Sequence, residues 1–176
     1  MSAFWGFEDP QSWVPVCRSV SKSDTFSHTG KEEAVVPGLE LTIRDVQAGT
    51  QILIQLNPSL NSNHQYGYAR LHRNDSPIAL GDAAGSQTSV TISTISTSAY
   101  TNDKYNCYGS GVSYLDTIPT AGDIRYAVRI ANSYDAAAVT YINRSAYDHD
   151  GSYSYRGVAN SPYRACGETD LEPEFW

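Results

Sequence analysis

Residues 124–130 read Ile124-Arg125-Tyr126-Ala127-Val128-Arg129-Ile130, and this stretch decides the fold. Ile124, Tyr126, Val128 and Ile130 fall on every second position, so in an extended chain they share one face. A helix would scatter the same side chains around its circumference. β-Branched and aromatic residues also suit a pleated, half-buried surface. The stretch is a strand that turns one face to a core.

Moving outward, the same period recurs. It appears at residues 39–44, and at 50–57 with Ile52, Ile54 and Leu56 on one side. Residues 66–73 form a further strand, ended by the turn signal Asn74-Asp75-Ser76-Pro77. Shorter candidates lie at 89–93 and at 112–115, the latter ahead of a loop holding Pro119 and Gly122. Residues 138–144 follow the turn Asn132-Ser133-Tyr134-Asp135, and 152–156 can supply a last short strand. The total is about eight strands, spaced too closely for crossover helices. Pairing must therefore be mainly antiparallel. Two packed antiparallel sheets bury such one-sided strands, so the expected fold is an all-β sandwich of the jelly-roll type. No repeat of 20–50 residues points to a solenoid or propeller.

The composition agrees. A chain of 176 residues buries roughly 70% of its unfolded surface as one domain, enough for a core without disulfides or metals. Thirteen Tyr, thirteen Gly and a single Met favour strands joined by turns over helices. Three zones are distinguishable: an aromatic arm over residues 1–22, a body over 23–158 and an acidic tail over 159–176.

Charge and targeting signals narrow the partners. The net charge is −7, and no two of the twelve Lys and Arg residues are adjacent. A nucleic-acid binder needs clustered cations to displace counterions from phosphates, so nucleic acid is not expected. No apolar run approaches the 18 residues of a membrane span. The opening residues lack the basic start and apolar stretch of a secretory signal, which leads us to expect synthesis in a cytoplasm. Cys17, Cys107 and Cys166 are odd in number and far apart. Reduced thiols fit this pattern, and an interchain bridge is the alternative.

Catalytic motifs are absent. There is no Gly-x-Ser-x-Gly elbow, His-Glu-x-x-His helix, Walker loop or Rossmann glycine pattern. Gly109-Ser110-Gly111 is too short to cradle a phosphate and reads as a bend beside a strand. His72 shares a strand face with Tyr66, Tyr68 and Arg70, where a surface or contact role is expected. The other histidines are His28, His64 and His149. The run Tyr147-Asp148-His149-Asp150-Gly151 has ligand-type residues but too few for zinc or an EF-hand. An Asp-Gly turn accounts for it. No metal and no cofactor are expected. The sequons at Asn74 and Asn143 read as chance matches. A carboxylate pair for glycoside hydrolysis, which meets only in space, keeps a small glycan-active enzyme as a third reading.

The chain ends carry the strongest functional signal. Phe4, Trp5, Phe7 and Trp13 crowd the arm, and the tail closes on Phe175-Trp176 after four acids. A Trp covers up to ~250 Å², worth several kcal/mol at about 25 cal/mol per Å². Such rings fold back on their own domain or dock on another polypeptide, as interface anchors do. We take all six as candidate partner-binding residues. Tyr126, Val128, Ile130 and Tyr141 stand on strands that look apolar on both faces, as with Ala127 and Ile142 beside them. Such strands are covered by a loop or by a second subunit, so these four are the expected subunit interface.

One resemblance sharpens this. The stretch Tyr114-Leu115-Asp116-Thr117-Ile118-Pro119-Thr120-Ala121-Gly122-Asp123-Ile124-Arg125-Tyr126, with the later strand end Ile142-Asn143-Arg144-Ser145, resembles jelly-roll domains of tailed-bacteriophage structural proteins, which are similar to C1q and tumour-necrosis-factor heads. The earlier strands at 49–56 and 68–73 match the same layout, so the resemblance covers roughly residues 25–145. It implies a homotrimer in a virion, made in the host bacterial cytoplasm. In one form the protein is a capsid decoration (cement) protein whose arm grips the major capsid protein or another virion protein. In the other it is a receptor-binding tail-fibre tip or tail adaptor. There, tyrosine-rich loops around residues 61–68 and 100–108 face host glycans. The chain departs from such fibres in having no collagen-like or coiled-coil shaft, and its tail after Gly157 is unusual for such heads.

Overall fold

The computed structural model describes residues 16–64, 66–94, 108–150, 152 and 154–166. Phe4, Trp5, Phe7, Trp13, Phe175, Trp176 and Cys107 lie outside that set, as do residues 100–107 of the second tyrosine-rich loop.

Thirteen strands are present among the described residues: β1 Val16–Lys22, β2 Phe26–Thr29, β3 Ala34–Val46, β4 Gln51–Leu56, β5 Ser59–Ser62, β6 Gly67–Arg73 and β7 Ser76–Ile78, then β8 Ile92–Ser93, β9 Tyr108–Gly109, β10 Val112–Thr117, β11 Gly122–Asn132, β12 Val139–Ile142 and β13 Ala159–Cys166. All pairings are antiparallel. The chain is an all-β protein, as expected, and two layers enclose its core. One layer is the sheet β3-β11-β6-β7, with β8 also pairing β6. The other consists of two sheets set end to end, β1-β13-β4-β10 and β2-β12-β5-β9.

The end-to-end arrangement follows from strand breaks at matching levels. β4 and β5 are one run broken at Asn57-Pro58, and β10 and β9 are one run broken at Ser110-Gly111. Hydrogen bonds cross the break from Ser110 N to the Pro58 carbonyl (3.2 Å) and from Asn57 N to the Asn160 carbonyl (3.0 Å). Asn143 N donates to the Ser59 carbonyl (2.9 Å), and its side-chain amide donates to the carbonyl of Lys22 (2.6 Å). The layer thus folds along a crease. β12 and β13 lie in the same lane, separated by the excursion 143–158, which leaves at Asn143 and returns at Gly157 N, bonded to the Asn143 carbonyl (3.0 Å).

The core fills the space between the layers. Val36, Leu39, Leu56, Leu60, Val128, Ile130 and Ile142 pack at one end, and Ile52, Ile54, Leu71, Ile118 and Tyr126 at the other. Each fully covered aliphatic contributes about 1.5–3 kcal/mol. β3 is longer than its alternation suggested because it passes through a bulge at Pro37-Gly38. There the register to β11 shifts and Gly38 takes φ 83°. A bulge is where a sheet tolerates a proline.

Three strand readings need correcting. Residues 16–22 and 159–166, assigned above to the arm and the tail, are the paired strands β1 and β13. Among the described residues of 152–156 none lies in a strand; Arg156 makes only an isolated bridge to Arg144. Of 89–93, only Ile92–Ser93 is paired.

Three of the four residues expected at a subunit interface lie in the core of their own protomer. Tyr126, Val128 and Ile130 point inward from β11 and are fully buried in their own protomer. The other face of β11 looked apolar because of Ala127 and Ala131. It is covered by the chain's own polar side chains, since Ala127 stands opposite His72 and Glu40. Tyr141 does face outward, but the Arg144 guanidinium lies 4.5 Å from its ring centroid.

Candidate functional site

Three regions of the surface carry chemistry, and each follows from the register.

The outer face of the β3-β11-β6 sheet is laced with ion pairs. Tyr68, Arg70 and His72 project from β6, as expected, whereas Tyr66 precedes the strand. Glu33 anchors the group: it pairs with Arg70 Nη1 (2.7 Å) and His72 Nε2 (2.8 Å). The other His72 nitrogen lies 3.1 Å from the Asp75 carbonyl. Arg125 pairs with Glu40, and Arg129 with Asp75. Burial, and then the Glu33 charge, push the Tyr68 hydroxyl above its ordinary range. Glu40 holds the Arg125 guanidinium even more firmly protonated. The charges of this face are thus paired with one another, while Arg129 Nε is buried with no hydrogen-bond partner among the described residues.

The outer face of the β1-β13-β4-β10 sheet is the opposite. Its register positions are Cys17, Ser19 and Ser21 on β1, Gln51, Leu53 and Gln55 on β4, and Ser113, Leu115 and Thr117 on β10. On β13 the register positions are Asn160, Pro162, Arg164 and Cys166, so Arg164 is the one charged residue type among these positions. Leu115 is 51% exposed and lies across from the half-buried Leu53. Cys17 is a free, exposed thiol.

The third region lies at one end of the sandwich, where the β5–β6 and β11–β12 loops meet. His64 and Tyr134 rings lie 5.6 Å apart, and Tyr134 and Tyr66 rings 5.7 Å apart, each pair within 19° of parallel. Tyr66 is 55% and Tyr134 54% exposed. The backbone fixes this group. The Tyr66 carbonyl accepts hydrogen bonds from Ser133 N (3.1 Å) and from Ser133 Oγ (3.4 Å). Tyr134 N donates to Asn132 Oδ1 (2.8 Å). Asn63 clasps Val139 twice, through its own N to the carbonyl (3.1 Å) and through its Oδ1 from Val139 N (2.7 Å). Beneath the rings is a buried polar floor. Asn132 Nδ2 donates to Ser62 Oγ (3.0 Å), Ser62 Oγ to the Val139 carbonyl (2.8 Å), and Thr140 Oγ1 to the Ala131 carbonyl (2.9 Å). Gly67 permits this packing. A Cβ there would come within 2.9 Å of Ser62, Thr94 and Thr140 side-chain atoms.

A comparison of the chain with protein-family models and with curated proteins found no match.

The remaining sequence candidates fall into structural places. Asp148 pairs with Arg144 (3.3 Å) and Arg156 (2.7 Å), so its charge is committed. Among the described residues no three His, Cys, Asp or Glu side chains converge as a metal site, and no helix is long and apolar enough to cross a membrane. Asn143 of the second sequon is fully buried. Its amide donates to two carbonyls, of Lys22 and Asp24, and so is closed to a glycosylating enzyme in the folded chain. Sequence reading missed the His64–Tyr134–Tyr66 group. Residues 132–135 read only as a turn, and nothing in one loop predicts its meeting with another 68 positions away.

Proposed function

We propose that the chain is a jelly-roll protein that works by binding and assembly. The topology supports the jelly-roll reading. Successive runs alternate between layers, from β1/β2 to β3, to β4/β5, to β6 with its neighbours β7 and β8, to β9/β10, to β11, and back to β12/β13. The observation that carries the assembly reading is the contrast between the two outer faces. The charges of the ion-paired face are committed to one another, whereas the β1-β13-β4-β10 face has one charged position and an exposed Leu115. Low charge with exposed apolar surface is the mark of an interface core. We place a homotrimer on that face. Its concrete form is a virion component, a capsid decoration (cement) protein. There the arm, with Phe4, Trp5, Phe7 and Trp13, and the tail, with Phe175 and Trp176, grip neighbouring shell subunits. Binding the shell but not its free subunits stabilises it by mass action, and three arms on one trimer raise the grip through effective concentration.

Light scattering of the purified protein tests the association: three times the 19.3 kDa protomer mass is expected. Leu115→Arg should give a folded monomer, and a wild-type monomer at high concentration overturns the reading. Deleting residues 1–15, which leaves β1 whole, should preserve the oligomer and abolish co-sedimentation with virions.

A second reading, a receptor-binding tip or tail adaptor that recognises host surface glycans, is favoured by one observation: the exposed, near-parallel rings at the end of the sandwich.

A further inference from the structure

We infer that the free edge of β10 docks a second copy of itself, the two strands pairing antiparallel about a two-fold axis at Leu115. This contact goes beyond the trimer proposed above: that one joins outer faces, whereas this one joins sheet edges through main-chain groups.

The register fixes which groups the edge offers. β10 ends its sheet, and among the described residues only β4 pairs with it. Ile118 N donates to the Thr50 carbonyl (2.9 Å) and Ser110 N to the Pro58 carbonyl (3.2 Å), on either side of one unbroken register. Alternate residues of an antiparallel strand send their N–H and C=O groups to opposite sides. Val112, Tyr114 and Asp116 therefore bond β4, and Ser113, Leu115 and Thr117 aim theirs at the free edge. All three are exposed. The Thr117 carbonyl accepts a long bond from Arg73 Nη1 (3.5 Å), which leaves its second lone pair.

Sheets guard such edges with charged side chains, prolines, bulges or short length. Three other edges of this molecule are guarded: β3 carries the Pro37-Gly38 bulge, β7 has three residues and Pro77, and β1 carries the exposed Arg18. The outward positions of β10 have none of these. Its one charge, Asp116, faces inward and is held by Arg73 and Tyr126.

The strand's own sequence selects the partner. With the axis at Leu115, Leu115 stands opposite its copy and Ser113 opposite Thr117. Apolar then meets apolar and hydroxyl meets hydroxyl, the combinations that favour cross-strand pairs. An axis at Asp116 sets two carboxylates face to face, and one at Tyr114 sets Leu115 against Ser113. In the Leu115 register the Leu115 N–H and C=O groups bond their copies, and Ser113 and Thr117 exchange bonds on both sides. The two sheets become one, and the Leu53–Leu115 strip runs on into its counterpart. A single strand pair is a small contact, so it doubles the protein only as concentration rises.

Oxidative cross-linking tests register and partner together. Leu115→Cys places two thiols on a pair whose Cα atoms are ~5.5 Å apart, within reach of a disulfide. It should form a covalent dimer beyond anything wild type shows through its exposed Cys17. Ser113→Cys should bond to Thr117→Cys in a mixture but not to itself, since its copy lies about 13 Å away along the strand. Sedimentation supplies the second measurement. Ser113→Pro removes one edge N–H where a proline is tolerated; it should abolish the doubling and keep the wild-type thermal midpoint. The inference is overturned if the wild type does not double, if Leu115→Cys cross-links no more than wild type, if Ser113→Cys joins itself as readily as it joins Thr117→Cys, or if Ser113→Pro doubles unchanged. The mass of Ser113→Pro, whose outer face is intact at Leu53 and Leu115, reports the trimer separately.

Discussion

At the scale of single residues, the most consequential side chain is Asp116. It is almost fully buried and accepts from the Tyr126 hydroxyl (2.6 Å) and from Arg73 Nη1 (2.6 Å). Tyr126 therefore fills the core with its ring and delivers its hydroxyl to a carboxylate, which is why an aromatic alternating with Ile and Val belongs inside. Asp116→Ala strands a phenol and a guanidinium, at a cost of about 3 kcal/mol. We expect Tm to fall by roughly 6–12 °C in calorimetry, and Asp116→Asn to fall less because it still accepts from Tyr126. Tyr68 yields a prediction in pH. Its folded-state value lies above the ordinary 10.0 through burial and the Glu33 charge. The neutral phenol is thus favoured in the native state. Its contribution is complete below pH 10.0 and declines as pH climbs towards the folded value. Tyr68→Phe should flatten the alkaline loss of stability, read as urea midpoints at pH values on either side of 10.0.

At the scale of elements, β13 sits between β1 and β4 in the middle of its sheet, although its sequence advertises nothing of the kind. ANSPYRAC carries Pro162, and a proline argues against a central strand. The structure accommodates it by a local sacrifice. Pairing with β4 runs over 163–166 and then resumes only as the bridge Asn57–Asn160, so the gap falls at the residue lacking an N–H. β1, VCRSVSK, was equally illegible. Its outward positions Ser19 and Ser21 are polar, as an outer face allows, but only Val20 marks the inward side. The strands that alternate cleanly, above all β11 and β4, were legible because a two-sided environment dictates a two-residue period. β5, β9 and the crease were not, because breaks at Asn57-Pro58 and Ser110-Gly111 acquire meaning only when they line up across neighbours. Truncation after Val158 should leave β1 and the β4 edge unpaired. We expect such a chain to lose cooperative thermal unfolding and to aggregate, whereas truncation after Cys166 should unfold like the full chain.

At the scale of the whole molecule, the two outer faces differ in what holds them. The ion-paired face is bound by charges that salt can screen, since the Debye length falls from about 10 Å at 0.1 M to about 3 Å at 1 M. The weakly charged face offers burial of apolar area at Leu53 and Leu115, which salt leaves intact or strengthens. Association through the latter should therefore persist from low salt to about 1 M, as read by sedimentation. An oligomer that dissociates with salt would assign the contact to the other face. The functional regions were less legible than the fold. The ring group unites residues 64, 66 and 134, and the ion-pair network unites Glu33 with residues 70 and 72. Both are products of register, which one-dimensional patterns leave open.

The excursion between β12 and β13 has a practical corollary. Its neck is cinched by the Gly157–Asn143 bond and the Arg144–Arg156 bridge, so the strand lane on either side is indifferent to what hangs beyond. Extra chain grafted near residue 150 would be charged only for a larger ring, about 0.6 kcal/mol for each doubling in length. The molecule thereby offers a natural display point, a place where a foreign peptide can be carried on a scaffold that does not register its presence.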